Sequence, residues 1–172
     1  YLESPTNPTL KIVDIQRLAN VAHEHGGIVI VDNTFATPIN QRPLTLGADL
    51  VVYSATKYLN GHSDVMGGLV VGKKSLIRTI FHYREITGAT LHAHSAYMIL
   101  RGMKTLELRM QRHNENGMKI ASWLSAHPKV EQVFYPGLPT HPHHDIAKKQ
   151  MHGFGGMMSF SLKGGFPAVI TV

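Results

Sequence analysis

A lysine with small polar neighbours lies at the centre of the segment DLVVYSATKYLNGHSDVMGG, residues 49–68. Lys57 follows an apolar run, and two hydroxyl side chains, Ser54 and Thr56, come just before it. An acidic residue, Asp32, ends another apolar run upstream, IVIVD. An amine can bind a carbonyl compound covalently, a carboxylate can hold a ring nitrogen protonated, and hydroxyls can donate to an anion. These residues together are therefore candidates for a catalytic site.

Two predicted strands would position these residues. The runs IVIVD and DLVVYS are rich in β-branched residues, as in strands covered on both faces, and KIVDIQRLANVAHEHGG before them has apolar residues at helical spacing. The order helix, strand, connection, strand, with LVVGK as a further strand, predicts an α/β fold with a mainly parallel sheet. Ligands of such sheets bind beyond the carboxyl ends of the strands, so we expect Asp32 and Lys57 to share a pocket.

Pyridoxal 5'-phosphate (PLP) needs this set of residues: a lysine for its Schiff base, an acid for its pyridine nitrogen and small donors for its phosphate. Three alternatives remain open at this point. A Schiff-base aldolase without a cofactor would use Lys57 but would not need Asp32 and two hydroxyls. The pattern Ser54-x-x-Lys57 also fits acyl-enzyme chemistry, although the companion elements S-D-N and K-T-G are not found downstream. A binding module without turnover is the third alternative.

The pattern of predicted elements changes in the second half of the chain. Residues 92–127 follow a helical pattern that is long enough to predict a kink or a junction between two helices. After Pro128, KVEQVFYPG predicts a strand, HHDIAKKQM a short helix and GGMMSFSLKGG another strand. We therefore predict a domain boundary between Asn116 and Pro128, with residues 1–120 in one domain and residues 121–172 beginning a smaller α+β domain.

Composition limits the class of protein. The 172 residues are 43% hydrophobic and 16% charged, which predicts a packed core, and they include no cysteine. The net charge of +6 comes from scattered Lys and Arg, so we expect a solvated surface and no nucleic-acid partner. No apolar run approaches the roughly 20 residues of a membrane span. His141, His143, His144 and Asp145 match no zinc signature, and we predict no metal and a soluble, cytoplasmic protein.

Four motifs carry a resemblance to a known family. ESPTNP, VDNTFATP, SATKYLNGHSD and RGMKTLELRM occur in order along the chain. They resemble the transsulfuration (Cys/Met metabolism) family of PLP-dependent enzymes, which includes cystathionine γ-lyase, cystathionine γ-synthase and methionine γ-lyase. The resemblance implies the PLP-transferase fold of aspartate aminotransferase (fold type I), with residues 1–120 as the C-terminal part of the PLP-binding large domain.

The resemblance also implies a role for each candidate residue. Lys57 would be the Schiff-base lysine and later the proton shuttle, and Asp32 would pair with the pyridine nitrogen. Ser54 and Thr56 would contact the phosphate, Asn7 would contact the phenolic oxygen of the ring, and Thr34 would lie against the ring. Lys57 is thus the expected catalytic residue, and the expected cofactor-binding residues are Asn7, Asp32, Thr34, Ser54, Thr56 and Lys57.

The implied reaction is γ-elimination or γ-replacement on a sulfur amino acid or a homoserine ester. An O-acylhomoserine sulfhydrylase, a cystathionine β-lyase and an inactive PLP-binding fragment are the alternatives. Family members are about twice as long, and their ring-stacking tyrosine, phosphate loop and carboxylate-binding arginine have no matching positions here. Since YLESPTNP begins like the end of a strand and AVITV stops without a capping signal, we expect a piece of a longer enzyme, inactive alone. The family also implies a homotetramer, arranged as a dimer of dimers.

Overall fold

A four-stranded sheet forms the first half of the chain in the computed structural model, which describes residues 1–170. The final two residues of the AVITV segment lie outside the described residues. The strands are β1 (Leu2–Glu3), β2 (Ile30–Asp32), β3 (Leu50–Ser54) and β4 (Gly68–Gly72), and they lie side by side in this order. β1, β2 and β3 run parallel, whereas β4 pairs antiparallel with β3. The predicted α/β fold with a mainly parallel sheet is therefore confirmed.

Helices cover this sheet and connect its strands. Helix α1 (Ile15–Glu24) begins where the Asp14 carboxylate accepts a hydrogen bond from the backbone N–H of Arg17 at 2.9 Å, an N-terminal cap. Between β2 and β3, the predicted connection contains the short helix α2 (Thr37–Asn40) and a 3-10 turn over Pro43–Leu46. The connection thereby keeps β2 and β3 parallel, with both carboxyl ends at one edge of the sheet.

Helix α3 (Lys74–Thr87) follows β4, and the sequence analysis did not predict it. None of its residues is fully buried, and only Leu76 and Ile77 are half-buried. The apolar side chains Ile80, Phe81 and Ile86 are exposed on it. A helix whose apolar face has no core partner lacks the contacts that most helices in proteins depend on.

The long helical segment consists of two helices, as predicted. Helix α4 (Ala93–Met103) and helix α5 (Leu106–Ser125) meet at Lys104 and Thr105. Gly102 is buried near this junction. A Cβ atom there would overlap the carbonyl oxygen of Asn60, which shows how closely α4 approaches the segment after Lys57.

The predicted strand, helix and strand of the second half are all present. Strands β5 (Val130–Phe134) and β6 (Ser159–Leu162) form a separate antiparallel pair, helix α6 (His144–Gln150) lies between them, and helix α7 (Gly165–Ile170) follows. Helix α5 runs through the predicted boundary at residues 120 and 121. The division into domains stays a prediction.

The histidine-rich segment at residues 141–144 is packed into the fold. His143 accepts a hydrogen bond from the backbone N–H of Ile12 at 3.2 Å, and His144 lies 2.9 Å from the carbonyl oxygen of Pro136. His141 is buried. Among residues 1–170, no group of three or more His, Asp or Glu side chains could hold a metal ion, and no helix is long and apolar enough to cross a membrane.

A buried carboxylate joins α1 to the sheet. The Asp49 side chain is only 4% exposed; it lies 2.8 Å from His23 Nε2 and 2.5 Å from Lys73 Nζ, and it accepts a hydrogen bond from Val29 N. Burial raises the pKa of Asp49, but the hydrogen bonds from Lys73, His23 and Val29 outweigh it and hold that pKa well below its usual range. Asp49 is therefore ionised at neutral pH.

Candidate active site

Three predicted site residues form a hydrogen-bonded chain at the carboxyl edge of the sheet. Asp32 is the last residue of β2, and its Oδ1 accepts from the backbone N–H of Thr34 at 3.0 Å and from the Thr34 hydroxyl at 2.6 Å. Thr34 Oγ1 in turn accepts from the backbone N–H of Ser54, the last residue of β3, at 2.8 Å. One hydroxyl thus joins two neighbouring strand ends and holds the Asp32 carboxylate in one orientation.

The Asp32 carboxylate has a second neighbour. Its Oδ2 accepts a hydrogen bond from the hydroxyl of Tyr1 at 2.9 Å, and the Tyr1 side chain is itself exposed. Asp32 is half-buried, so it is fixed by the backbone and hydroxyls around it and remains open to water on one side. Such a carboxylate can accept a hydrogen bond from a ligand.

Lys57 lies in the turn that follows β3. Its backbone N–H donates to the carbonyl of Ser54 at 3.1 Å, and its carbonyl accepts from Gly61 N at 2.7 Å. Gly61 has φ of 73°, in the left-handed region that favours glycine. The Lys57 side chain is exposed, and its amine contacts no hydrogen-bond or ion-pair partner within residues 1–170. The turn thus presents an unpaired amine.

Thr56 fixes the other side of this turn. Its Oγ1 accepts a hydrogen bond from Gly67 N at 3.1 Å, just before β4. Ser54 ends a strand and is followed by turns rather than by a helix. Acyl-enzyme chemistry with the S-x-x-K pattern needs its serine at the start of a helix, so the structure does not support that alternative.

A cleft of about 1020 Å³ lies beside this edge. Three of the six predicted site residues, Asn7, Thr56 and Lys57, line it. The chain of Asp32, Thr34 and Ser54 lies outside the lining and is joined to it through the Lys57 backbone. Part of the remaining wall comes from α4 and α5, which contribute His94, Met98, Arg109 and His113.

Two cationic side chains, Lys57 and Arg109, line the cleft with one carboxylate, Asp64. Burial lowers the pKa of Arg109. Burial, together with the charge of Arg109, also lowers the pKa of His113, so this imidazole is uncharged at neutral pH. The lining therefore carries a positive balance, which suits an anionic ligand such as a phosphate ester.

Sequence reasoning missed the aromatic and cationic part of this wall. Tyr58 packs edge-on against His113, with ring centroids 5.1 Å apart, and burial raises the pKa of Tyr58. Arg109 and His113 are four residues apart on α5, so they share one face of the helix. That spacing, together with the place of Arg109 in RGMKTLELRM, was a signal that could have found both.

The fold and the site define a class: an α/β protein that presents a lysine amine and an oriented carboxylate at the carboxyl edge of a mainly parallel sheet. Comparison with known proteins makes the class specific. The model of the Cys/Met metabolism PLP-dependent enzyme family matches residues 1–172, and the chain belongs to this family. Pyridoxal 5'-phosphate is the cofactor on which the family depends.

Individual relatives agree with the family. The chain is 57% identical to an L-methionine gamma-lyase of Fusobacterium nucleatum subsp. polymorphum over 175 residues, which is 100% of this chain and 44% of the relative. It is 56% identical to a cystathionine beta-lyase of Coxiella burnetii, over 95% of this chain and 43% of the relative. The crystal structure of cystathionine gamma synthase from Xanthomonas oryzae pv. oryzae, in complex with aminoacrylate and cysteine, superposes with a TM-score of 0.95 at 46% identity.

The chain spans less than half the length of these relatives. The Xanthomonas structure is matched over 98% of this chain but only 44% of that chain. The assignment of the fold type and the family therefore depends on a match along almost the whole of the 172 residues. The relatives have further segments that this sequence does not match.

Proposed function

We propose that the protein catalyses PLP-dependent γ-elimination or γ-replacement on sulfur amino acids or homoserine esters. The observation that carries the proposal is that the Asp32 carboxylate, which Thr34 orients, and the Lys57 amine both lie beyond the carboxyl ends of the neighbouring parallel strands β2 and β3. Two neighbouring strands supply the two groups, and a cleft with a positive lining lies beside them.

The residues present fit the cofactor by their chemistry. PLP combines an aldehyde, a basic ring nitrogen, a phenolic oxygen and a phosphate, and this edge of the sheet offers a partner for each. Lys57 would bind the aldehyde carbon and Asp32 would hold the ring nitrogen protonated. The Asn7 side chain would donate to the phenolic oxygen, Ser54 and Thr56 would donate to the phosphate, and Thr34 would lie against the ring.

When bound, the cofactor supplies an electron sink that stabilises negative charge on the substrate carbon. The residues of this chain would move the protons and hold the reacting groups in place. Lys57, released by the substrate amine, would remove the α-proton and carry a proton toward the β-carbon, which lets the γ-substituent leave. Asp32 would keep its position throughout, because Thr34 holds Oδ1 through two hydrogen bonds.

The names of the relatives support this reaction class without selecting one member. L-methionine gamma-lyases and cystathionine gamma-synthases stand among them at 49–57% identity. The Coxiella relative named cystathionine beta-lyase, at 56% identity, favours β-elimination as the second candidate. An O-acylhomoserine sulfhydrylase is a further member of the same class.

The test uses the full-length protein encoded by the complete reading frame. We expect a yellow absorption on addition of PLP, and borohydride reduction should fix the cofactor to a peptide that contains Lys57. Lys57→Ala should abolish both, whereas Lys129→Ala, which alters an exposed lysine elsewhere, should change neither. A full-length protein that takes up no PLP, or attaches it at another lysine, would refute the proposal.

Product analysis then assigns the reaction. Methionine, cystathionine and an O-acyl homoserine are supplied in turn, each with and without a thiol. Elimination releases a 2-oxo acid and ammonia, and replacement forms a new thioether. Pyruvate from cystathionine would identify β-elimination, and a four-carbon 2-oxo acid would identify γ-elimination.

The organisation of the whole protein is part of the proposal. Residues 1–120 would belong to the PLP-binding large domain, and residues 121–172 would begin the small domain. Two core clusters support this division: one is built around Ile15, Val51 and Met110, the other around Ala121 and Tyr135. A third, smaller cluster joins Ile12 and Ala36 to Ala147 and Met151, so the two parts also pack against each other. A homotetramer and a cytoplasmic location stay predictions; sedimentation of the full-length protein tests the first.

A further inference from the structure

Arg109 makes an unusual set of contacts around the turn that carries Lys57. Its Nη1 donates to the carbonyl of Tyr58 at 2.8 Å and its Nη2 donates to the carbonyl of Gly102 at 2.9 Å. Its Nε donates to Thr105 Oγ1 at 3.0 Å. A longer contact of 3.5 Å joins Nη2 to the carbonyl of Leu59. One guanidinium therefore holds the segment directly after Lys57 against the junction of α4 and α5.

The surrounding backbone is shaped to admit this guanidinium. A Cβ atom on Gly61 would overlap the Arg109 guanidinium. Gly61 N also closes the turn on the Lys57 carbonyl at 2.7 Å. Glycine at position 61 thus both closes the turn and leaves room for the Arg109 guanidinium.

Arg109 pairs with backbone carbonyls rather than with acids. Within residues 1–170, no carboxylate forms a salt bridge with it, whereas Arg112 on the same helix pairs with Glu115 at 3.2 Å on the surface. A guanidinium has five N–H donors in a planar fork, so it can serve several carbonyls at once, which a lysine ammonium cannot do in the same geometry. The guanidinium therefore binds the backbone of the turn rather than an acidic side chain.

We propose that Arg109 is a positioning residue that fixes the Lys57 turn, so that the Lys57 amine is held where it meets the cofactor and the substrate. The inference rests on the proposed function, because Lys57 must be the cofactor-binding lysine. Arg109 acts through the carbonyls of Tyr58 and Leu59. Without it, the turn keeps its own hydrogen bonds and its packing against the two helices, but loses its hydrogen bonds to the junction of α4 and α5.

The experiment compares Arg109→Ala, Arg109→Lys and Arg112→Ala in the full-length protein. Three quantities are measured: the rate at which the lysine-bound absorption forms when PLP is added to the apoprotein, kcat at saturating PLP and substrate, and the melting temperature. Because a displacement of about 1 Å at a reacting group can cost roughly 100-fold in rate, we expect kcat to fall roughly 10- to 100-fold in Arg109→Ala. Arg112→Ala should match the wild type.

Free guanidinium ion separates positioning from general stability. At low concentration it can occupy the space left in Arg109→Ala, and we expect it to restore part of the rate of cofactor attachment and part of kcat. Sodium chloride at equal ionic strength should restore neither. Arg109→Lys keeps the charge and most of the volume but not the planar fork, so it should fold with a melting temperature close to the wild type and remain slow.

Each variant also gives the outcome that overturns the inference. If Arg109→Lys folds and attaches PLP at the wild-type rate with wild-type kcat, Arg109 does not position Lys57. If Arg109→Ala is folded but slow and guanidinium gives no recovery, the inference is likewise overturned. Failure of the proposed function is recognised separately, since in that case the wild-type protein itself would form no borohydride-trapped adduct at Lys57.

Discussion

Replacing Thr34 with valine tests how the two strand ends are held together. Valine has nearly the same shape as threonine but no hydroxyl, so Thr34→Val removes the 2.6 Å hydrogen bond to Asp32 Oδ1 and the 2.8 Å hydrogen bond from Ser54 N. The backbone N–H of Thr34 still donates to Asp32. The change is therefore confined to the hydroxyl that joins β2 to β3.

The expected magnitude follows from these two bonds. A hydrogen bond to a charged group contributes about 1.5–3 kcal/mol, and a neutral one about 0.5–1.5 kcal/mol. The free energy of unfolding should therefore fall by about 2–4 kcal/mol. The control is Thr34→Ser, which keeps the oxygen and loses only a methyl group, with an expected cost of about 1 kcal/mol.

Urea unfolding of the full-length apoprotein, followed by circular dichroism, measures this difference. The midpoint should fall while the slope with urea stays constant. The affinity for PLP should fall with it, because Asp32 Oδ1 loses one of its two hydrogen-bond donors. A loss below about 1 kcal/mol in Thr34→Val, or an equal loss in Thr34→Ser, would refute the view that this hydroxyl joins the strand ends.

Three further predictions concern other buried contacts. Asp49→Asn removes the charge that Lys73 and its neighbours stabilise, so the free energy of unfolding should fall by about 2–4 kcal/mol at pH 7. Folding lowers the pKa of Asp49, so this difference in stability between wild type and variant should persist at neutral pH and shrink as the pH falls below about 4. Urea titrations at several pH values measure it. Gly102→Ala should lower stability by about 2–3 kcal/mol, since its methyl group meets the Asn60 carbonyl, and a wild-type melting temperature would contradict this. Tyr135→Phe should cost about 1 kcal/mol, because the hydroxyl donates to a buried carbonyl at 2.8 Å; burial raises the pKa of Tyr135 to about 12, so the wild-type phenol should not titrate in ultraviolet spectra below about pH 11.

The strands were predictable because their residues carry their own signal. IVIVD and DLVVYS are short β-branched runs, and the structure has β2 and β3 within them, with Asp32 and Ser54 at their ends. The edge at which the two ends meet also followed from the rule that parallel strands place their carboxyl ends together. The rule did not show that Lys57 lines the cleft while Asp32 lies outside its lining, although we expected both in one pocket.

The remaining features depend on contacts between distant segments. Nothing in the local pattern around Thr34 indicates that its hydroxyl accepts from Ser54 N, because that bond depends on the register of β2 against β3. The carbonyl contacts of Arg109 join residues about fifty positions apart. Helix α3 was missed for a different reason: its apolar residues Leu76, Ile77, Ile80 and Phe81 do recur at helical spacing, and this signal was overlooked.

Helix α5 runs from the cleft to the second sheet as one continuous helix. Its 20 residues span about 30 Å at 1.5 Å per residue, with Leu106 and Met110 in the first core and Ala121 and Leu124 in the second. A tilt of about 5° about one end would move the other by about 2.6 Å, more than a reacting group tolerates. Substitutions that shift the C-terminal end of α5 against β5 should therefore also move Arg109 at its other end. The Lys57 turn would shift with Arg109, although the substituted residues do not contact the cleft.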